Sequence, residues 1–357
     1  MSLYSIGIIG AGNSAHALAA YLASLGHSIT LFARDEKKVQ HLKSSGGIES
    51  TGKLNGFFPL QMVTNNIEEL AKNSQIIFLA TLTTAYEDIS QMLAPYINKD
   101  HIIIPFSSKL CGCLEVATTL EKAGAPSIPV IETDAIFDCR VQPNGSVWIR
   151  GMKAWNLYSC PTCSETEKHG PLLSSFFPGL HAAKNLLHRG LTDFGAVAHA
   201  VISIANISRI DRQEEFAFYY DGLSTRTIIL LEQMEQEFHK ISKSYDAEIL
   251  PMKDILNRYY GCDTESLLTA MTTVPNYRHS VGPTALNHRF LREDVACTLV
   301  PLKQLAELAS LSTPMIDTVI NLTSILGGVN LQEHGRSLSK LGLAGKTKQE
   351  IQEWITR

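Results

Sequence analysis

Apolar residues come in short runs through the first half of the chain and at helical spacing through the second. Residues 6–9 form an apolar run that enters a glycine turn. Residues 16–25 then read as an apolar helix closed by Gly26, and residues 28–33 as a second strand. The alternation continues with a strand over 75–80, a helix over 86–93, a strand over 101–105 with its loop over 106–112, a helix over 115–123 and a strand over 127–133. Residues 147–150 and 155–158 read as a late hairpin. Short apolar strands alternating with helices predict a mostly parallel sheet. From about residue 185 the pattern is helical: 194–209, 225–245, 254–260, 264–272, 301–311 and 314–325. The expected architecture is an α/β Rossmann-type N-terminal domain over 1–180 and an all-α C-terminal domain over 181–357, with the boundary falling in 171–184.

The first turn carries the earliest chemistry. Gly10-Ala11-Gly12-Asn13-Ser14-Ala15 follows a strand and opens a helix, and a second strand follows at the spacing of a βαβ unit. Gly10 allows the tight turn, and Gly12 lets a pyrophosphate approach the backbone. Ala15 stands where a third glycine is usual and still permits close packing of helix on strand. The helix N-terminus offers N–H groups and a positive dipole end to the phosphates. Beyond the second strand the chain reads Ala33-Arg34-Asp35-Glu36-Lys37-Lys38. Arg34 suits a 2′-phosphate and adenine stacking, with Lys37 or Lys38 adding charge. Asp35 can instead turn back to a ribose hydroxyl, and Arg34 with the lysines can also be a solvated helix start. The balance favours NADP(H), with NAD as the alternative. Ligands of such sheets lie beyond the carboxyl ends of the strands, which makes 81–84, 107–109 and 132–134 the candidate cofactor-facing loops. The cofactor-binding candidates are Gly10, Gly12, Asn13, Ser14, Ala15, Arg34, Thr81 and Glu132.

Composition narrows the class. Charged residues are 18% and the formal net charge is −4, which leaves no basic excess for nucleic acid. No apolar run approaches the roughly 20 residues that a bilayer span needs. The N-terminus lacks a basic n-region and is not read as a signal peptide, so the cytosol is the expected compartment. The seven cysteines are scattered and odd in number, against a disulfide framework. Cys160-Pro-Thr-Cys163 lacks the second pair that a zinc ribbon needs, and no metal site is expected.

Two segments of the helical half stand out. Ala198-His199-Ala200 lies in the middle of an apolar helix, where a buried histidine needs a partner for each ring nitrogen. The stretch from Gly282-Pro283 to Asp294-Val295 packs Arg289, Arg292, Glu293 and Asp294 ahead of an apolar helix. Here the chain resembles the octopine/nopaline (opine) dehydrogenase family over nearly its whole length. The shared features are the fingerprint with Asn13, Glu132-Thr133, Cys139-Arg140, the histidine on an apolar helix, and Phe218-Tyr219-Tyr220-Asp221-Gly222. The block from Gly282 to Val295 and Val300-Pro301-Leu302 with Thr313-Pro314 complete the list. The Gly282 to Val295 block is the specific part.

The resemblance implies a reductive condensation. An amino acid's amine and a 2-oxo acid, often pyruvate, form an imine that a nicotinamide reduces to a secondary-amine dicarboxylate. By matched position, it makes His199 the catalytic acid/base, Asp294 its orienting carboxylate and Arg289 the ligand of the oxo-acid carboxylate. The residue types suit those roles. Without the family, His199 reads as a satisfied core histidine, and Arg289 and Asp294 as an ion pair or a helix cap. Arg292 and Glu293 read as structural or surface residues. Ala200 stands where many relatives have proline, and Ser14-Ala15 replaces a glycine pair; neither change removes a chemical group. The partners implied are the two small-molecule substrates, with no nucleic acid and no membrane, and a homodimer is compatible with a buried helical domain. Tyr219, Tyr220 and Tyr277 either line the amino-acid pocket or pack the core. Two other readings compete. One is a 2-oxo-acid reductase resembling ketopantoate reductase, although Lys184 lacks the matching Asn and Glu context. The other is a nucleotide-binding sensor without turnover.

Overall fold

Five parallel strands form the first sheet: β1 (Ser5–Ile9), β2 (Ser28–Phe32), β5 (Met62–Thr64), β6 (Ile76–Leu79) and β7 (Ile102–Pro105), in the order β5-β2-β1-β6-β7. In this computed structural model residues 2–357 are described. Ile6, Ile8, Ile29, Leu31, Phe78 and Ile104 line the sheet's core against Ala15, Leu18 and Leu22 of the helix Asn13–Ser24. Burying each such aliphatic side chain contributes about 1.5–3 kcal/mol. A strand buried on both faces reads as a continuous apolar run, as in β6, and such strands are the ones legible from pattern alone.

Two smaller sheets complete this unit. β3 (Gly47–Gly52), β4 (Gly56–Pro59), β9 (Phe137–Val141) and β10 (Val147–Met152) pair in the order β4-β3-β10-β9. β8 (Glu132–Thr133), β11 (Asn156–Ser159) and β12 (Leu180–Ala182) form the order β12-β11-β8. The expected hairpin is therefore corrected. β10 pairs with β9 antiparallel and with β3 parallel, whereas β11 belongs to the other sheet. The burial patterns give the reason. β10 alternates, as a strand with one solvated face does, while β11 is buried at all four positions and needs cover on both sides. The expected strand over 127–133 is regular only at Glu132–Thr133 and otherwise touches the first sheet through bridges at Val130 and Thr133.

The chain divides into two units. One ends at Ser108 and resumes over Gly112–Ala182; the other comprises Lys109–Cys111 and Ala183–Arg357. The second unit is helical. Its central helix, Phe194–Ala205, is apolar on most faces and buries Val197, Ala198, Val201 and Ile202. The predicted helix over 194–209 breaks at Asn206, whose side-chain amide donates to the carbonyls of Ile202 and Gly222 at 2.9 and 2.8 Å. A short helix, Ile207–Asp211, follows. The helix Arg289–Asp294 runs through a π-helical turn, Val295–Leu299, into Val300–Leu308. Pro301 has no N–H to give the preceding turn, and such wide turns relieve that mismatch. Among the described residues, no helix is long and apolar enough to cross a membrane.

Candidate active site

In the strand-rich unit the glycine turn has the geometry of an anion cradle. Gly10 has φ +133°, and a Cβ there would sit 2.4 Å from the carbonyl oxygen of Ala80. Only glycine fits that position. Gly12 is the exposed N-cap of the helix Asn13–Ser24, no side chain caps that helix, and its first turn has no acidic residue. An added Cβ at Gly12 would meet nothing within 4 Å. Open N–H groups at a dipole's positive end with free space in front fit a pyrophosphate. Ser14 is half-buried and Ala15 buried behind the turn. Asn13 Oδ1 accepts from the Val141 N–H at 2.9 Å and ties the turn to β9. Thr81 is half-buried just past β6, its hydroxyl donating to the Leu82 carbonyl at 3.2 Å.

The acidic candidates are spent locally. Asp35 caps the helix Glu36–Ser45, accepting from the Lys37 N–H at 2.9 Å, while Arg34 stays exposed at the tip of β2. Glu132 is 0% exposed. Its carboxylate accepts from Ser108 Oγ at 3.0 Å and from the Cys113 N–H at 2.9 Å. Its carboxylate is thus occupied by the loop over 108–113.

The helical unit brings together His199 and Asp294, which lie far apart in sequence. His199 Nδ1 is 2.8 Å from Asp294 Oδ2, and His199 Nε2 is 2.8 Å from the hydroxyl of Tyr219. Each ring nitrogen thus has the partner that a buried imidazole requires. The ring is held in plane by Phe290, stacked at 3.9 Å between centroids with 20° between planes. A Cβ on Gly195 would stand 2.8 Å from His199 Cε1, so the residue one turn earlier must be small. The imidazole keeps 13% exposure, enough to reach a small molecule, whereas Asp294 keeps 3%.

The charges are arranged around Asp294. Lys109 Nζ is 2.5 Å from Asp294 Oδ1 and 3.1 Å from Asp193 Oδ2, and all three side chains are buried. Asp193 also caps the His199 helix, its Oδ1 accepting from the Ala196 N–H at 3.1 Å. Burial alone would raise the Asp294 carboxyl, but the Lys109 ammonium and His199 outweigh it and bring it down to about 2. Burial pushes the His199 imidazole below its ordinary range; Asp294 opposes this, while Lys109 and Arg289 add to it. His199 is therefore neutral at neutral pH, with a carboxylate in place to stabilise the imidazolium when it forms.

Arg289 opens the helix that ends at Asp294. Its side chain is 50% exposed, 4.0 Å from Glu293, with the guanidinium 5.2 Å from the Phe290 ring centroid. Phe290 thus touches both the imidazole and the guanidinium. Arg292 is exposed and Glu293 buried. Of the three tyrosines in question, Tyr219 reaches His199 and stacks on Tyr277 at 4.0 Å, while Tyr220 donates to the Val274 carbonyl at 3.2 Å. Sequence reasoning gave Lys109, Asp193 and Tyr219 no part in the dyad. The one usable signal was Asp193, an N-cap residue directly before an apolar helix.

Known proteins match both units of this chain. A family model described as NAD/NADP octopine/nopaline dehydrogenase, alpha-helical domain, matches residues 182–326, and one described as NADP oxidoreductase coenzyme F420-dependent matches residues 5–108. An opine dehydrogenase of Arthrobacter sp. (strain 1C) is 30% identical over 350 residues, 98% of each chain. The structure of an octopine dehydrogenase with NADH and pyruvate superposes with a TM-score of 0.73 at 18% identity over 96% of each chain. A yersinopine dehydrogenase with NADP+ bound superposes with a TM-score of 0.71 at 15% identity, covering 99% of this chain and 98% of that one. The chain belongs to the octopine/nopaline family of opine dehydrogenases, NAD(P)-dependent oxidoreductases that act on CH–NH groups.

Proposed function

We propose that this protein joins the amine of an amino acid to a 2-oxo acid, pyruvate first among them, and reduces the resulting imine to a secondary-amine dicarboxylate. The observation that carries this reading is the buried Asp294 carboxylate 2.8 Å from Nδ1 of a His199 whose ring keeps some exposure. Amine, oxo acid, NAD(P)H and one proton become secondary amine, water and NAD(P)+. Loss of the carbinolamine hydroxyl as water requires a proton at that oxygen. Nδ1–H is committed to Asp294 and fixes the tautomer, so Nε2 of the neutral ring first takes up the one proton of the overall reaction and, as imidazolium, delivers it to that oxygen. Asp294 offsets the charge of the imidazolium until the transfer leaves the ring neutral.

Arg289 holds the carboxylate of the oxo acid through the paired N–H donors of its guanidinium, a geometry that lysine lacks. Its exposure leaves it available for that partner. The turn at Gly10, Gly12, Asn13, Ser14 and Ala15 holds the dinucleotide pyrophosphate, with Thr81 nearby on the same edge of the sheet. Arg34 selects a 2′-phosphate, since Asp35 is engaged in capping. A bound reduced nicotinamide supplies the hydride. The pyruvate of the octopine dehydrogenase structure supports the choice of oxo acid.

The test is NADPH and NADH oxidation by the purified protein with pyruvate and each amino acid in turn. Oxidation that needs both substrates supports the reading and identifies the amine. Oxidation with an oxo acid alone replaces it by simple oxo-acid reduction. Tight nucleotide binding without oxidation across oxo acids and amines points to a sensor.

A further inference from the structure

Asp294 divides its two oxygens between two cationic partners, and only one of them is the histidine. We propose that Lys109 is a positioning residue of the acid–base pair. Its ammonium, shared between Asp294 and Asp193, keeps the Asp294 carboxylate ionised and turned toward His199, and so fixes the pH range in which His199 exchanges its proton. This inference rests on the reading of His199 and Asp294 given above.

Three observations carry it. The first is contact: 2.5 Å to Asp294 and 3.1 Å to Asp193, with side-chain exposures of 5% or less throughout. Such a lysine is held by its partners and not by solvent. The second is connection. Asp193 caps the helix carrying His199, and Asp294 ends the helix Arg289–Asp294, so one ammonium sets the spacing of both. The third is strain that the surroundings hold in place. Lys109 and Cys111 have φ of 60° and 55°, left-handed values for residues that carry a Cβ. Such residues are strained and persist only where neighbours over-determine them. Here the fully buried Arg189 donates to the Lys109 carbonyl, and Arg336 donates to the carbonyls of Leu110 at 2.8 Å and Cys297 at 3.3 Å. Cys297 lies in the π-helical turn directly after Asp294. Arg336 therefore pins the lysine loop and the Asp294 helix together.

The charge count sets the sign. With His199 neutral the cluster holds one cation and two carboxylates. Without the ammonium, two buried carboxylates lie beside an imidazole, which then takes up a proton at higher pH. The other groups near His199 do not replace the lysine. Arg289 is half-exposed, burial keeps His288 neutral, and Tyr219 is an uncharged hydroxyl. On the helices packed against His199's helix, Glu237 is spent on the N–H groups of Met315 and Ile316, Asp317 pairs with Lys303, and Lys253 pairs with Asp254.

The experiment follows the His199 Cε1–H resonance by NMR across pH in the full-length protein, assigned with His199→Asn. Lys109→Met should move its inflection upward by about one pH unit or more. Lys109→Arg should leave it near the wild-type position. The acidic limb of the pH profile for NAD(P)H oxidation should move with it. An unchanged inflection in Lys109→Met overturns the inference. If that variant does not fold, Lys109→Gln keeps a donor without the charge, and the same upward movement or its absence decides. Failure of the underlying reading is separately visible: His199→Asn would then keep full turnover whatever Lys109 does to the resonance.

Discussion

The hydroxyl of Tyr219 lies 2.8 Å from Nε2 of His199, on the nitrogen opposite Asp294. In the mechanism proposed above that nitrogen carries the transferred proton, so the phenol would either pass the proton on or be displaced by substrate oxygen. While in place it orients Nε2 through that bond. Tyr219→Phe keeps the aromatic ring that stacks on Tyr277 and removes the hydroxyl that reaches His199. Turnover should fall about tenfold, the worth of one hydrogen bond to a charged group, with nucleotide affinity unchanged. Steady-state kinetics beside a nucleotide titration will decide, and an unaltered kcat would return Tyr219 to core packing.

Arg289 offers a half-exposed guanidinium on the helix that carries Asp294. Arg289→Ala should raise the KM for the oxo acid on the order of a hundredfold, the worth of a charge-assisted bidentate contact. Arg289→Lys should recover little of it. The KM for the amine should change far less. Equal effects on both substrates would assign the guanidinium to another job.

Arg34 stands exposed past β2 beside an aspartate already committed to a helix cap. Arg34→Ala should weaken NADPH by about tenfold or more and NADH much less, because only the former presents a 2′-phosphate. Fluorescence titration with both nucleotides measures the ratio. Equal losses would reverse the preference for NADP(H).

His288 caps the helix Arg289–Asp294 through Nδ1, and burial, followed by Arg289 and His199, brings its pKa down to about 4. Its folded value lies below the unfolded value of 6.5, so the unfolded chain takes up the proton first as pH falls. Stability should therefore decline from about pH 6.5 to about pH 4 through this group, with His188 acting in the same direction. Asp294 acts lower, its contribution being lost as pH falls from its ordinary 3.8 toward about 2. His288→Asn, which keeps a capping oxygen, should flatten the urea midpoint between pH 4.5 and 6.5. An unchanged slope would remove His288 from the balance.

What a single stretch of chain can state was legible. The strand, glycine turn and helix from Ser5 to Ser24 are encoded by neighbours in sequence, through apolar period and the absence of a Cβ at Gly10. The central helix was legible from its apolar faces, although its break at Asn206 was not, because that amide bonds to Gly222 in another segment. The strand at 155–158 was legible as a strand but not as a member of a separate sheet, since pairing partners lie outside the local pattern. His199 and Asp294 each stood out in sequence. The family resemblance paired them, but the 2.8 Å geometry of the pair, and the placement of Lys109, Asp193 and Tyr219 around it, came only with the tertiary structure. A buried lysine reads like any loop lysine until its carboxylates are brought to it, because ion pairing depends on distance in space, which sequence separation does not encode.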